Sequence, residues 1–397
     1  MASSEAKQWK EAVKSEMDSI VSNGIWVLVD LPPGCTTIGC KWIFKRKLKP
    51  DGTIDKFKAK LVAKGFKQKE GIDYFDTYSP VARLTTIRVL IALASVYNLP
   101  IHQMDVKTAF LYGELEEEIY MDQPEGFVAH GSCLDIITET KSFMKNKFEM
   151  KDMGEANVIL GIKLTRSTNG IAISQSHYIE KIIEKFGYQN SRIAKTTYDP
   201  SVALLKNESG VPIAQLRVLR YLKGSVSLAI HYGRFPAVLE GYSDASWIPK
   251  NSGSNRCSGY VFTLGGGAVS WKSTKQTLIT RSTFEAKLCA LDTNGTEAEW
   301  LFGLLSQLPI VSQPLSPIAI HCDSQTTIAK VRSRKYNQKT KRHIQVRLKF
   351  IRVLVSDRVM GIDFVRTKDN VANPLTKGLN LSQVHKSRLG MGLKTHK

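Results

Sequence analysis

Tyr242-Ser243-Asp244-Ala245-Ser246-Trp247 ends an apolar run that includes Val238, Leu239 and Tyr242, so a strand over 237–247 delivers a carboxylate to the edge of a sheet. Two later segments repeat the device. Asp323 follows the apolar stretch 317–322 in His321-Cys322-Asp323-Ser324-Gln325-Thr326, and Glu285 sits where a turn becomes a helix in Arg281-Ser282-Thr283-Phe284-Glu285-Ala286. A fourth segment, Val371-Ala372-Asn373-Pro374-Leu375-Thr376-Lys377, has Asn373 where a further acid would complete the set. Each acid also has an ordinary local reading: Asp244 can initiate a turn, Ser282-x-x-Glu285 is a capping box, and Asp323 can cap a helix. Taken together, carboxylates gathered from separate segments are what two-metal phosphodiester chemistry requires. Only several anionic oxygens hold two Mg²⁺ ions about 3.5–4 Å apart. Asp244, Glu285 and Asp323 are therefore candidate ligands for Mg²⁺, with Mn²⁺ as a substitute ion.

The surrounding sequence supplies a scaffold for that edge. Strands are expected over 237–247, 258–264 and 268–272, the last two joined at Gly265-Gly266-Gly267. A long helix follows over 283–308, then a strand over 317–322, helices over 324–333 and 340–356, a strand over 361–366 and a short helix near 370–377. Antiparallel strands first and strand–helix alternation afterwards suit a mixed sheet flanked by helices. Upstream, residues 5–22 have helical spacing, and strand-like runs occur over 25–29, 41–48 and 56–66, with Pro50-Asp51-Gly52 marking a hairpin. A helix over 84–97 and a strand over 101–106 carrying Asp105 come next. Residues 133–215 read as a mixture, with strands near 156–164 and 171–175 and helices near 136–148 and 176–186.

Bulk properties narrow the partners. The 397 residues carry a net charge of +20, which favours a polyanion, and nucleic acid fits better than a membrane because no apolar run approaches a spanning length. Six scattered cysteines form no Cys-x-x-Cys pair, which argues against zinc and against a disulfide framework. The polar N-terminus lacks the apolar core of a signal peptide, pointing to an intracellular protein, nuclear or cytoplasmic. Residues 41–69 hold eleven Lys or Arg against Asp51 and Asp55, and residues 330–352 hold ten with no acid, both suited to phosphate contact.

In order along 236–377 stand Gly241-Tyr242-Ser243-Asp244-Ala245-Ser246-Trp247, Ser282-Thr283-x-Glu285-Ala286, Cys322-Asp323-Ser324-Gln325-Thr326 and Ala372-Asn373-Pro374-Leu375-Thr376-Lys377-Gly378-Leu379. This region resembles the ribonuclease H domain of copia-type LTR retrotransposon polyproteins. Lys339-Thr340-Lys341-Arg342-His343-Ile344 is similar to that family's Thr-Lys-His-Ile signature with Arg342 inserted. Residues 5–128 resemble the start of the matching reverse transcriptase, through Lys41-Trp42-Ile43-Phe44-Lys45, residues 58–66, Tyr78-Ser79-Pro80-Val81 and residues 103–111. The resemblance implies a mixed α+β and α/β chain. Reverse transcriptase fingers and the start of the palm would span 1–132, a truncated palm and connection 133–235, and a ribonuclease H-like mixed five-stranded sheet with flanking helices 236–397. It implies an RNA–DNA hybrid as partner, Lys58, Lys60 and Lys64 as fingers residues at the nucleotide, Asp105 as a polymerase metal ligand and Phe110 as the aromatic against the sugar. It further implies nucleic-acid contact at Lys339, Lys341, Arg342 and His343.

The departures bear on activity. The family's polymerase needs a Tyr-x-Asp-Asp turn beside Asp105, and no Asp-Asp dipeptide occurs in the chain. Gly126-Phe127 passes almost at once to Cys133-Leu134-Asp135, which resembles family sequence beyond that turn, and a second join lies near 212–215. Such losses remove burial partners, so residues 70–215 are expected to be loosely folded. Asn373 keeps a ligating oxygen without the charge, so weak or absent hybrid cleavage is expected. The alternatives are a non-catalytic basic nucleic-acid-binding protein and a pseudogene product without function.

Overall fold

The structure, a computed structural model, describes residues 5–22, 25–27, 29–48, 54–65, 82–106, 119–124, 150–196, 216–246, 257–278, 280, 282–333 and 341–396. The chain forms two compact units, residues 1–81 with 104–154, and residues 82–103 with 155–397. These units divide the chain differently from the three stretches read from sequence, because the helix at 84–96 packs with elements from 158 onwards. None of the described helices is long and apolar enough to cross a membrane.

In the first unit, α1 (Ala6–Ser22) lies on the antiparallel hairpin β1 (Cys40–Leu48) and β2 (Ile54–Ala63). The strands alternate, so the two hairpin faces differ in chemistry. One face carries Trp42, Phe44, Phe57 and Ala59, and Trp9 of α1 packs edge-on against Phe44 at 5.3 Å and Phe57 at 4.6 Å. The other face carries Lys41, Lys45, Lys47, Lys56, Lys58 and Lys60, with Lys45 directly opposite Lys58 and Lys47 opposite Lys56. The expected strand over 25–29 does not form among the described residues there. Pro32 and Pro33 lack backbone donors, and Ile38 makes only an isolated bridge to Met121. Asp105 lies on β3 (His102–Val106), which pairs with β4 (Met150–Glu155).

The second unit contains two sheets, each of five strands among the described residues. The first has the order β11 (Gly267–Lys275), β10 (Cys257–Leu264), β9 (Glu240–Ala245), β12 (Ile318–Cys322) and β13 (Met360–Phe364). Strands β9, β10 and β11 are antiparallel, whereas β9, β12 and β13 run parallel. This is the mixed five-stranded sheet expected for 236–397. Helix α5 (Thr283–Ser306) crosses it and packs against α7 (Arg342–Ser356), while α6 (Gln325–Arg332) follows β12. Phe262, Leu288, Leu291, Leu301, Ile320, Ile351 and Met360 are fully buried between these layers, and each contributes about 1.5–3 kcal/mol by leaving water. Gly241 on β9 permits the close layer: a Cβ there would lie 2.6 Å from Ile320 Cδ1 and 2.7 Å from Phe262 Cε1.

The second sheet runs β14 (Leu393–Thr395), β8 (Leu228–Tyr232), β7 (Gly170–Ser174), β6 (Ile162–Ser167) and β5 (Val158–Ile159), with antiparallel neighbours throughout. Helix α2 (Leu84–Val96) covers it with Val89, Ile91, Ala92 and Leu93, which join Ile162, Leu164, Ile171, Ile173 and Tyr232 in one buried core. Arg88 stacks 4.0 Å over Trp271 and Arg83 4.8 Å over Trp300, so α2 is tied to the first sheet's side as well. The expectation of a loosely folded 70–215 is thereby corrected for 84–96 and 158–185. There α2 and β8 supply the burial for β6 and β7. Helices α3 (Ser176–Lys185) and α4 (Leu216–Ser225) pack on each other, and Arg220 and Lys223 donate to the carbonyls of Arg192 and Ser191 at 2.6 and 2.7 Å.

Candidate functional site

Parallel pairing of β9 and β12 aligns Cys322 with Ser243, so the next residue of each strand, Asp323 and Asp244, reaches the same sheet edge. Asn370 fixes the chain segment that closes this edge. Its side chain accepts from Ala372 N and donates to Ser243 O at 2.9 Å, ending a single 3-10 turn over Thr367–Asp369. A second 3-10 turn, Asn373–Leu375, stands in place of the short helix expected near 370–377. Asp244, Asp323 and Asn373 are thus brought to one edge of the sheet.

Between the two carboxylates stands a residue the sequence reading passed over. Lys287 Nζ donates to Asp244 Oδ1 and to Asp323 Oδ1, both at 2.5 Å. Asp244 is completely buried and Lys287 is 7% exposed. Burial alone pushes the ammonium pKa down, but Asp244 and Asp323 more than reverse this and hold it above its ordinary value. Helix α5 can bring Lys287 in because Ala286 and Ala290 pack against Ala245 at the end of β9, and small side chains let helix and strand approach. The remaining oxygens are also engaged. Thr376 Oγ1 donates to Asp244 Oδ2, Lys377 Nζ lies 3.5 Å from that oxygen, and Thr367 Oγ1 donates to Asp323 Oδ2 at 3.1 Å. Asn373 donates through Nδ2 to Thr367 O, while its buried Oδ1 has no hydrogen-bond partner.

Glu285 stands apart from this pair. Among the described residues no three His, Cys, Asp or Glu side chains form a group that could hold a metal ion. Ser282 accepts from Glu285 N at 3.2 Å, which is half of the capping box. On a helix, residues two apart differ by about 200° around the axis, so α5 presents either Glu285 or Lys287 to the sheet, and it presents Lys287. The donor set therefore does not fit a pair of divalent ions: four carboxylate oxygens already have protein donors, and an ammonium fills the space between them. The sequence did carry a signal for Lys287. It lies on the stripe 287, 291, 294, 298, 301, 305, all buried positions of α5, where an unpaired lysine would be untenable. Asp369, four residues before Asn373, is paired with Lys386 on the surface, and that ammonium lowers its pKa.

The basic residues divide into those held internally and those at the surface. Arg332 donates to Ile362 O at 2.8 Å, Arg352 to Lys330 O at 2.8 Å, and Arg347 pairs with Asp292 at 3.2 Å, so these cations of 330–352 brace the fold. Lys341 and Arg342 are exposed at the start of α7, with His343 half-buried beside them. On the hairpin, Lys60 pairs with Glu16 at 2.7 Å. The Lys58 pKa is lowered by burial first and then by Lys47, Lys56 and Lys60. Lys64 follows β2 and ties its backbone N to Gly39 O at 2.7 Å. Phe110 and Lys339 lie outside the described residues, as does the helix expected over 136–148.

Residues 23–133 and 127–200 match the family model described as reverse transcriptase (RNA-dependent DNA polymerase). The two matches meet at 127–133, where the sequence reading puts the first join. A retrovirus-related Pol polyprotein from transposon TNT 1-94 of Nicotiana tabacum is 30% identical over 98% of this chain and 38% of its own length. That alignment is 508 positions long, which leaves about 120 positions of the relative without a counterpart in the 397 residues here. Among solved structures, a foamy viral protease-reverse transcriptase in complex with dsDNA matches with TM-score 0.39 and 11% identity, over 91% of this chain and 83% of that one. LC11-RNase H1 in complex with an RNA/DNA hybrid matches with TM-score 0.27 and 15% identity, over 35% of this chain and 93% of that one. The chain spans well under half of the Pol polyprotein it matches, and within that span it is similar to retrovirus-related Pol polyproteins of transposons from Nicotiana tabacum and Arabidopsis thaliana.

Proposed function

We propose that this chain is a degenerate reverse transcriptase and ribonuclease H segment. It binds nucleic acid, makes no DNA, and cleaves the RNA of RNA–DNA hybrids weakly or not at all. The observation that carries this reading is the shortage of carboxylates. Asp105 has no Asp-Asp turn to complete a polymerase metal pair anywhere in the sequence, and Asn373 stands at the fourth ribonuclease H position. One carboxylate does not hold two Mg²⁺ ions against their hydration. Primer extension on a primed RNA template tests the polymerase half: no incorporation is expected, and clear incorporation overturns it.

The lysine-rich face of the hairpin, on which Ile43 and Val62 stand among the lysines, supports a second, narrower reading, a non-catalytic nucleic-acid-binding protein. Opposed lysines on one face are unfavourable unless an anion bridges them, and a phosphate backbone supplies such anions. An RNA–DNA hybrid is the partner that both halves of the chain would share. Binding that weakens steeply with salt and accompanies a cooperative melting transition separates this reading from that of an unstable pseudogene product.

A further inference from the structure

We propose that Lys287 is a built-in cation: its ammonium takes the position between Asp244 and Asp323 that a divalent ion would otherwise fill, and removing that one charge creates a divalent-cation site. The inference stands on the geometry of the sheet edge and not on whether catalysis is lost. Two carboxylates, one completely buried and one nearly so, cannot be left without a counter-charge in the interior. Lys287 supplies it at 2.5 Å to each, from a helix position that is itself buried. With Lys377 3.5 Å from Asp244 Oδ2, two cations face two anions, and the edge has no formal negative charge left to attract Mg²⁺. A divalent ion would have to shed water and displace an ammonium that has no comparable partner elsewhere on the buried stripe, while Mg²⁺ dehydrates reluctantly.

Once the charge is gone, the balance reverses. Asp244, Asp323 and the unpartnered Asn373 Oδ1 then offer oxygens of the kind a hard cation takes, and with Lys377 as the remaining cation beside Asp244 Oδ2 the edge is left with a net negative charge. Glu285 is not needed for this, so the site would hold one ion rather than two.

The test measures Mn²⁺ binding to the full chain by electron paramagnetic resonance, together with melting in EDTA and in millimolar Mn²⁺. In the wild type, no Mn²⁺ signal that depends on Asp244 is expected, and exchanging EDTA for Mn²⁺ leaves the melting temperature unchanged. Lys287→Met is expected to melt lower in EDTA, to recover with Mn²⁺, and to bind Mn²⁺ in a manner abolished by adding Asp244→Asn. A folded Lys287→Met that binds no Mn²⁺ overturns the proposal. Should that variant fail to fold, the wild type decides through amine acetylation read by mass spectrometry. Lys287 is expected to be labelled only on unfolding, unlike the exposed Lys349, and Mn²⁺ is expected to leave its protection intact. Release of Lys287 to the reagent on adding Mn²⁺, or wild-type Mn²⁺ binding lost in Asp244→Asn, shows that an ion displaces the ammonium and overturns the idea.

Discussion

Lys58→Glu should make the hairpin more stable while making the protein a poorer ligand for nucleic acid, two effects that a merely structural lysine would not produce together. In the wild type Lys58 faces Lys45 directly across the strands, with Lys56 and Lys60 as neighbours on the same face. Cross-strand charge pairs are worth about 0.2–1 kcal/mol in either direction. Exchanging repulsion for attraction therefore stabilises the hairpin by about 0.4–2 kcal/mol, toward the lower end because this face meets solvent. Binding moves the other way. Losing one phosphate contact reduces the slope of log affinity against log salt by about 0.9, so the advantage of the wild type shrinks about 3.5-fold between 50 and 200 mM salt. Urea unfolding followed through Trp9, which packs on Phe44 and Phe57, gives the stability, and fluorescence anisotropy with a labelled RNA–DNA hybrid gives the slope. A destabilised hairpin, or a slope and affinity equal to those of the wild type, refutes the assignment of this face to phosphate.

Three further outcomes are expected from the second unit. His231 is held below its ordinary pKa by burial and then by His396 and Lys394, so the folded state prefers the neutral ring. The stability it lends is complete above pH 6.5 and lost as pH falls through the lowered folded value, and His231→Gln should remove this acid-side loss in melting curves across pH. Leu291→Ala empties a fully buried position and should cost about 2–5 kcal/mol in urea unfolding, a value below about 1 kcal/mol being inconsistent with the packing described. Gly241→Ala pushes a methyl into Ile320 and Phe262 and should cost about 1–3 kcal/mol, read in the same assay.

Much of the sheet that carries the site was legible because its strands alternate, its turns are marked and its helices are long. Helix α5 ends two residues before the expected boundary, and β12 and β13 each start within one residue of theirs. The second sheet was legible only in part, through the strands read near 156–164 and 171–175, which are β5, β6 and β7. Its cohesion comes from β14 and α2, which lie far apart in sequence, and β14 is three residues long, too short to show a period. At the site, Asp244 and Asp323 announce themselves as acids at strand ends, and parallel pairing of β9 and β12 brings them together. Lys287 was missed for a physical reason. A lysine is ordinarily solvated, and only its place on a stripe otherwise made of Leu, Ala and Asn, facing two buried carboxylates, makes it part of the core. Glu285, the more conspicuous residue, lies on the opposite side of the same helix, about 200° around its axis.

Cleavage of a labelled RNA–DNA hybrid by the purified full chain, in Mg²⁺ and separately in Mn²⁺ with Asp244→Asn as control, tests the central claim most directly. Little or no product is expected in either ion, from the wild type and from Asp244→Asn alike. Efficient turnover in Mg²⁺ that the substitution abolishes would contradict it, because the pair of carboxylates held by Lys287 would then be serving catalysis after all.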